Sequence, residues 1–186
     1  GIEALKAVWH RGAVDADGKT GDGAGIHVEI PKDFFIEKIE VTGHKYDDSE
    51  ICVGMIFLPR NDYTAQESCK TIVESELTKN NFNIFGWRQV PVNTKVLGDK
   101  AFQTMPEIIQ VLFKSNDPNL INKNLERKIY ETRRKIEKKA FNLPLNNFYI
   151  CSLSSKSIIY KGMFLAEGIS DFYLDLKDKR LSLIHI

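Results

Sequence analysis

The residues best suited to chemistry lie in a glycine-rich stretch near the start of the chain. His10-Arg11-Gly12 is followed, after a short acidic segment, by Thr20-Gly21-Asp22-Gly23-Ala24-Gly25-Ile26. Glycine permits positive φ angles and lets the main chain approach a ligand or a neighbouring strand closely. The stretch therefore predicts a shaped loop that could cradle a ligand.

A phosphate-binding loop is one possibility, but the order of the surrounding elements argues against it. Dinucleotide-binding loops follow a strand and open a helix, whereas this stretch follows a helical pattern and opens a strand. Asp15, Asp17 and Asp22 also lack the ligand spacing of a helix-loop-helix calcium site. Carboxylates that form turns explain these three residues better.

The remaining candidate groups do not complete a catalytic or metal-binding set. The four histidines have no metal-binding spacing, and the serines near residue 155 lie outside any Gly-x-Ser-x-Gly motif. Cys52, Cys69 and Cys151 each lie in an apolar-patterned segment, which indicates reduced buried thiols. We expect no bound metal.

Composition is that of an ordinary globular protein, with 42% hydrophobic and 27% charged residues and a formal net charge of +1. This balance argues against a nucleic-acid or acidic-lipid partner. The basic face of the helix around residues 127–139 has interleaved acids, which favours a solvated surface. Because no apolar run reaches the ~20 residues that span a bilayer, we expect no membrane partner. The expected location is the cytoplasm, or a plastid for a plant-type source.

Two elements must position the glycine-rich loop. The spacing of Ile2, Leu5, Val8 and Trp9 predicts a helix before it. Alternating apolar residues at 26–30, ending at Pro31, predict a strand after it.

Further helices and strands follow in an irregular order, which favours an α+β fold with sheets flanked by helices. Thr64 and Glu67 predict a capping box for a helix that carries Cys69, Val73 and Leu77. Leu125, Ile129, Ile136 and Ala140 predict a long helix. Strands are predicted at residues 51–58, 82–92 and 108–113, with a hairpin formed by residues 148–153 and 157–163.

Residues 1–30, GIEALKAVWHRGAVDADGKTGDGAGIHVEI, closely resemble the amino-terminal class II glutamine amidotransferase domain of the glutamate synthase family. Other class II amidotransferases have a shorter loop here, so the insertion at residues 13–22 is what indicates glutamate synthase. Later segments agree, including residues 53–59, 86–91 and 148–154. The resemblance extends to about residue 180, and the last six residues, LSLIHI, are expected to be a non-native tail at 181–186.

The resemblance implies a four-layer α-β-β-α sandwich of the N-terminal-nucleophile hydrolase type. In this family an amino-terminal cysteine attacks the glutamine amide, its own α-amine is the base, and an Asn-Gly pair stabilises the oxyanion. The parent enzyme would hydrolyse L-glutamine and channel ammonia to 2-oxoglutarate for reductive formation of a second L-glutamate. FMN and an iron-sulfur cluster are implied for the parent. The implied partners are synthase domains of the same chain and a small NADPH-oxidising subunit or ferredoxin.

The sequence departs from the family pattern at both ends. It starts at Gly1, where the family has already passed its cysteine, and stops before the segments with the glutamine-binding arginine and the oxyanion Asn-Gly pair. The three internal cysteines have no free α-amine and cannot replace the nucleophile. We therefore expect an incomplete domain at residues 1–180, without catalytic residues, cofactors or glutaminase activity of its own.

Within this part of the domain, the resemblance assigns Arg11, Gly12, Asp22, Gly23 and Gly25 to the wall of the glutamine pocket. Arg11 and Asp22 could face the substrate, or they could only fix the loop by pairing with each other or capping turns. A noncatalytic binding or scaffold domain with the same fold is the alternative to an enzyme.

Overall fold

The computed structural model describes residues 3, 7, 13–143, 145 and 147–181, which form two compact units. The first unit contains the described residues of Gly1–Glu29, Val90–Met105 and Ile159–Ile186. The second contains those of Ile30–Gln89 and Pro106–Ile158. Helices and strands follow each other irregularly in both, as an α+β fold requires.

Six strands and five α-helices form the described framework. The strands are β1 Ala24–Glu29, β2 Cys52–Leu58, β3 Phe82–Gln89, β4 Glu107–Ser115, β5 Tyr149–Ser154 and β6 Ser157–Gly162. The helices are α1 Lys32–Val41, α2 Tyr63–Lys79, α3 Asp99–Thr104, α4 Asn122–Phe141 and α5 Ile169–Phe172. Short 3-10 turns lie at Thr94–Val96, Ala166–Gly168, Leu174–Lys177 and Lys179–Leu181.

The second unit is built on a four-stranded antiparallel sheet in the order β3-β4-β2-β5. The apolar strand β2 lies inside it, and Ile56 pairs with Ile109 on one side and Ile150 on the other. A Cβ on Gly54 would lie only 2.6 Å from Leu153 Cδ1 and 2.7 Å from Val111 Cγ1. Side chains of the adjacent strands therefore fill the space that a larger residue would need.

Helices α2 and α4 contribute their apolar stripes to the core of this unit. Cys69, Val73 and Leu77 from α2 are fully buried in one cluster with Leu125, Ile129 and Ile136 from α4. The predicted long helix is confirmed. On its outer side, Arg133 and Arg134 pair with Glu137, and Lys139 pairs with Glu76 of α2. These cations thus take part in contacts within the unit.

The predicted strands are confirmed with small changes at their ends, but the predicted helix cap is wrong and one helix was missed. Helix α2 is capped by Asp62, which accepts a hydrogen bond from the Ala65 amide at 2.9 Å, and Thr64 already lies inside the helix. Aspartate is as good a cap as threonine, so the helix starts earlier than the capping box suggested. Helix α1 was not predicted, although Pro31 and the buried Phe34 and Ile39 give it a start and an apolar side.

The predicted hairpin at residues 148–163 does not form. Strand β5 pairs with β2 in the four-stranded sheet, whereas β6 pairs with β1 in a separate two-stranded sheet. The Glu126 carboxylate of α4 accepts hydrogen bonds from Ser154 Oγ at 2.9 Å, and from Ser155 N at 2.6 Å and Oγ at 2.8 Å. Glu126 therefore anchors both serines at the bend between β5 and β6.

The three thiols are reduced and buried, as predicted. Burial raises the pKa of Cys69 to about 11, with a smaller contribution from Asp62. Burial also raises the pKa of Cys52 well above its ordinary value. These two thiols therefore resist forming the thiolate that a nucleophile requires.

Part of the sequence-based reading falls outside the described residues. The predicted first helix lies there except for Glu3 and Ala7, which are helical, and so does the expected tail beyond Leu181. Among the helices of the described ranges, none is long and apolar enough to cross a membrane.

Replacing Glu126 with Ala is expected to lower the free energy of unfolding by about 1–3 kcal/mol, because the buried Ser154 and Ser155 lose their acceptor. Glu131→Ala is the matched control on the same helix, since among the described residues Glu131 pairs only with the exposed Arg127. Urea unfolding followed by circular dichroism measures both changes. Equal effects of the two substitutions would contradict an anchoring role for Glu126.

Candidate functional site

The glycine-rich stretch forms a small two-armed loop, residues 13–22, in the first unit. Val14 and Gly21 make an antiparallel bridge, and the Asp15 amide donates to the Thr20 carbonyl at 2.8 Å. The Asp22 amide donates to the Ala13 carbonyl at 3.2 Å. The insertion therefore brings the two ends of the loop side by side, next to the start of β1.

Asp17 closes the tip of this loop. Its Oδ1 accepts hydrogen bonds from the amides of Lys19 at 2.9 Å and Thr20 at 2.7 Å, and its Oδ2 accepts from Thr20 Oγ1 at 2.5 Å. The Thr20 hydroxyl, followed by these amides, lowers the pKa of Asp17 to about 2. The carboxylate is therefore a turn former, as the sequence indicated.

Thr20 is a residue that sequence reasoning missed. Only 2% of it is exposed, although it lies in a polar loop. An aspartate three residues before a threonine is a recognisable signal for a turn closed by side chains. The sequence analysis used the glycines and acids of this stretch but not that spacing.

The glycines at the loop end pack closely against the chain at and after β6. A Cβ on Gly21 would lie 2.7 Å from the Phe164 carbonyl oxygen, and one on Gly25 would lie 3.0 Å from Lys161 Cβ. Gly23 has a φ of +136°, which side-chain-bearing residues rarely adopt. Packing and backbone conformation therefore account for these glycines, and a role for Gly23 and Gly25 in a pocket wall stays a prediction.

Asp22 is exposed like Asp15 and Asp17, but it differs from them in its hydrogen bonding, since both of those carboxylates accept hydrogen bonds within the unit. Among the described residues, none donates a hydrogen bond to its carboxylate. Arg11 and Gly12 lie outside the described residues, so their predicted role and the Arg11–Asp22 pairing stay predictions. Gly12 is covalently bonded to Ala13, whose carbonyl accepts the Asp22 amide. Asp22 thus lies next to residue 13 of the opposite arm, and its carboxylate accepts no hydrogen bond from the described residues.

The described ranges contain no group of three or more His, Cys, Asp or Glu side chains that could hold a metal ion. The polar groups of the loop serve hydrogen bonding instead. An exposed carboxylate on a backbone held by glycine packing can accept hydrogen bonds from a polar ligand.

Comparison with known proteins adds the decisive observation, because residues 1–185 match the family model for Glutamine amidotransferases class-II. The chain belongs to the class II glutamine amidotransferases. This confirms the family indicated by the loop and its insertion, and it agrees with the α+β class and the antiparallel sheet described above.

The chain has curated relatives among glutamate synthases. It is 54% identical to the "Glutamate synthase [NADPH] large chain" of Azospirillum brasilense over 180 residues, which are 97% of this chain and 12% of that protein. It is 39% identical to the "Ferredoxin-dependent glutamate synthase 1, chloroplastic/mitochondrial" of Arabidopsis thaliana over 95% of this chain and 11% of that protein. The corresponding protein of Pyropia yezoensis is 40% identical over 94% of this chain and 11% of its own length. The amidotransferase chain thus spans about an eighth or less of these relatives.

We expect Asp17 to titrate at about 2 in the amidotransferase and closer to 3.8 after Thr20→Val, because the hydroxyl that stabilises the carboxylate is removed. A lowered pKa contributes loop stability that is complete above pH 3.8 and is lost as the pH falls through about 2. Carboxyl-detected NMR titration measures these values. Thr64→Val, on the exposed surface of α2, is the control and leaves Asp17 unchanged; titration of unsubstituted Asp17 near 3.8 would refute the assignment.

Proposed function

We propose that this chain is part of the glutamine-hydrolysing domain of a glutamate synthase. The observation that carries the proposal is 54% identity, over 97% of the chain, to a protein named as a glutamate synthase large chain. The insertion at residues 13–22, which indicated this family in the sequence, also supports the proposal, because its hydrogen bonds make it a defined loop.

The proposed parent enzyme hydrolyses L-glutamine to L-glutamate and ammonia. Ammonia then passes through the protein and condenses with 2-oxoglutarate, and reduction by two electrons yields a second L-glutamate. The domain at residues 1–180 contributes to the first half-reaction, and residues 181–186 are proposed to be a non-native tail. FMN and an iron-sulfur cluster would supply the electron transfer of the second half-reaction.

The attacking thiolate is proposed to come from outside this chain. Cys52, Cys69 and Cys151 are internal, so none has the free α-amine that serves as the base. They are also buried, and burial raises the pKa of the Cys52 and Cys69 thiols. This chain alone is therefore proposed to be inactive.

The loop end at residues 22–25, together with Arg11 and Gly12, is proposed to form one wall of the glutamine pocket. The exposed Asp22 carboxylate is free to accept hydrogen bonds from the α-ammonium group of glutamine. Gly23 and Gly25 keep the adjacent main chain free of side chains. The wall binds and orients the substrate, and it takes no part in proton transfer.

The synthase reaction requires partners beyond this domain. We propose that synthase domains of the same polypeptide carry FMN and the iron-sulfur cluster, since the three described cysteines are separate and buried and the described residues contain no metal-binding cluster. The reductant is a small NADPH-oxidising subunit or ferredoxin. Relatives named for each type exist. The proposed location is the cytoplasm or a plastid.

Asp22 is the most direct test of the pocket. In the complete protein encoded by the gene that contains this chain, Asp22→Ala is expected to raise the glutamine KM by roughly 10- to 100-fold, because an ionic hydrogen bond contributes roughly 1.5–3 kcal/mol. Asp48→Asn is the control, since Asp48 is also an exposed loop aspartate. Unchanged glutamine kinetics in Asp22→Ala would refute the substrate contact, and loss of stability without a selective change in activity would favour a structural role.

The origin of the nucleophile has its own test. The reading frame upstream of Gly1 is expected to encode a cysteine followed closely by an apolar strand, and the complete product is expected to release ammonia from glutamine while the 186-residue chain does not. A frame without that cysteine would favour the noncatalytic binding or scaffold domain. Glutaminase activity of the chain alone would contradict the proposed source of the nucleophile.

A further inference from the structure

We propose that residues 98–100 act as a latch that positions the Asp22–Gly23–Gly25 wall for glutamine, with Gly98, Asp17 and Thr20 as its positioning residues. This inference rests on the proposed function and adds residues that need not touch the substrate. The latch belongs to the same unit as the loop, although more than seventy residues separate them in the sequence.

Gly98 provides the steric part of the latch. A Cβ at this position would collide with Asp17 Oδ2 and Thr20 Oγ1, the two atoms that close the loop tip. The φ of Gly98 is −75°, which any residue can adopt, so glycine is required here for space. The main chain at the start of α3 therefore packs directly on the Asp17–Thr20 pair.

Lys100, two residues further along the chain, provides a polar contact. Its Nζ lies 2.8 Å from Asp15 Oδ2, and this pairing lowers the pKa of Asp15 and raises that of Lys100. Both side chains are well exposed, so the pair contributes little to stability. It can still favour one position of the loop on α3. Asp15 on one arm contacts Lys100, and Thr20 on the other arm packs on Gly98.

The segment that carries the latch is itself anchored. The Asn93 amide donates to the Phe172 carbonyl at 2.8 Å, and the Leu174 amide donates to the Pro91 carbonyl at 3.1 Å. Between these bonds, Val92 forms an antiparallel bridge with the buried Tyr173. Residues 90–105 are therefore tied to the chain after α5 by main-chain hydrogen bonds.

Tyr173 then connects this anchor to the glycine wall. Its hydroxyl donates to the Lys161 carbonyl at 2.7 Å, and Lys161 lies on β6, the partner strand of β1. Lys161 Cβ is the atom that a Cβ on Gly25 would approach to 3.0 Å. The contacts thus form a closed ring from the loop through residue 98, Tyr173 and Lys161 to Gly25.

The wall lies on this ring between two fixed points. One is the loop end at Thr20 and Gly21, where Thr20 packs on Gly98 and a Cβ on Gly21 would lie 2.7 Å from the Phe164 carbonyl oxygen, and the other is Gly25 on β6. Residues 22 and 23 between them have little packing of their own, since Asp22 and Gly23 are exposed. Moving the tip by the width of a methyl group would therefore shift the Asp22 carboxylate while leaving the sheet pairing in place.

Gly98→Ala in the complete protein tests the latch. We expect the glutamine KM to rise about tenfold with kcat changed less than about twofold, because a displaced wall weakens binding while the reacting groups lie elsewhere. Amide hydrogen exchange at Asp15 and Asp22 is expected to become about tenfold faster, because their hydrogen bonds within the loop open more often. Gly168→Ala is the matched control, since a Cβ there meets no atom within 4 Å and its φ is −80°.

Thr20→Val and Thr20→Ser keep the proposal testable if Gly98→Ala fails to fold. Valine preserves the shape but removes the hydroxyl that donates to Asp17, so it is expected to reproduce the KM increase and faster exchange. Serine keeps the hydroxyl and is expected to restore glutamine kinetics to within about twofold of the unsubstituted enzyme.

The outcomes separate the latch from a merely structural role and from failure of the proposed function. If Gly98→Ala or Thr20→Val has the same glutamine kinetics and amide exchange rates as the unsubstituted protein, the latch is overturned. A lower melting temperature with an unchanged glutamine KM would also overturn it, since the residues would then serve stability alone. If the unsubstituted complete protein has no glutaminase activity, the proposed function is overturned, and so is the role of the latch in binding glutamine. The exchange rates of Gly98→Ala would still decide whether residue 98 holds the loop.

Discussion

The described structure depends most on glycines that let the main chain lie close to neighbouring atoms. In the second unit, Gly54 leaves room for Leu153 and Val111 at the middle of the four-stranded sheet. In the first unit, Gly21 and Gly25 let the loop and β1 lie against the chain at and after β6. A single methyl group at any of these positions would force neighbouring atoms apart, because packed interiors have almost no spare volume.

Carboxylates solve a second problem, which is how the chain changes direction without leaving polar groups unpaired. Glu126 accepts hydrogen bonds from two serines at the passage from β5 to β6, and Asp17 accepts hydrogen bonds at the tip of the insertion loop. In both places several short hydrogen bonds converge on one ionised carboxylate, and hydrogen bonds to a charged acceptor are stronger than those between neutral groups. These acids are structural, and this leaves Asp22 as the exposed loop acid whose carboxylate accepts no hydrogen bond from the described residues.

These contacts indicate which part of the proposed catalytic reaction this chain can contribute. The glycine-rich loop is proposed to form a binding wall, whereas the buried thiols of this chain are poorly suited to attack an amide. Binding and chemistry are thus assigned to different parts of the polypeptide. Such a wall is useful only if its position is maintained, which is why the contacts of Gly98 and Tyr173 with remote segments are functionally interesting.

The amino-acid sequence by itself determined the family, through the insertion at residues 13–22, and it determined most helices and strands. The apolar spacing of α4 and the continuous apolar run of β2 are local signals, so they could be read without a structure. Only the tertiary structure decided that β6 pairs with β1, that Asp62 caps α2, and that Gly98 packs on Asp17 and Thr20. The first and third of these are contacts between residues far apart in the chain. The spacing of apolar residues within a segment does not indicate which distant segment it contacts. At the α2 cap, Asp62 and Thr64 are equally suitable side chains, so the local sequence did not distinguish between them.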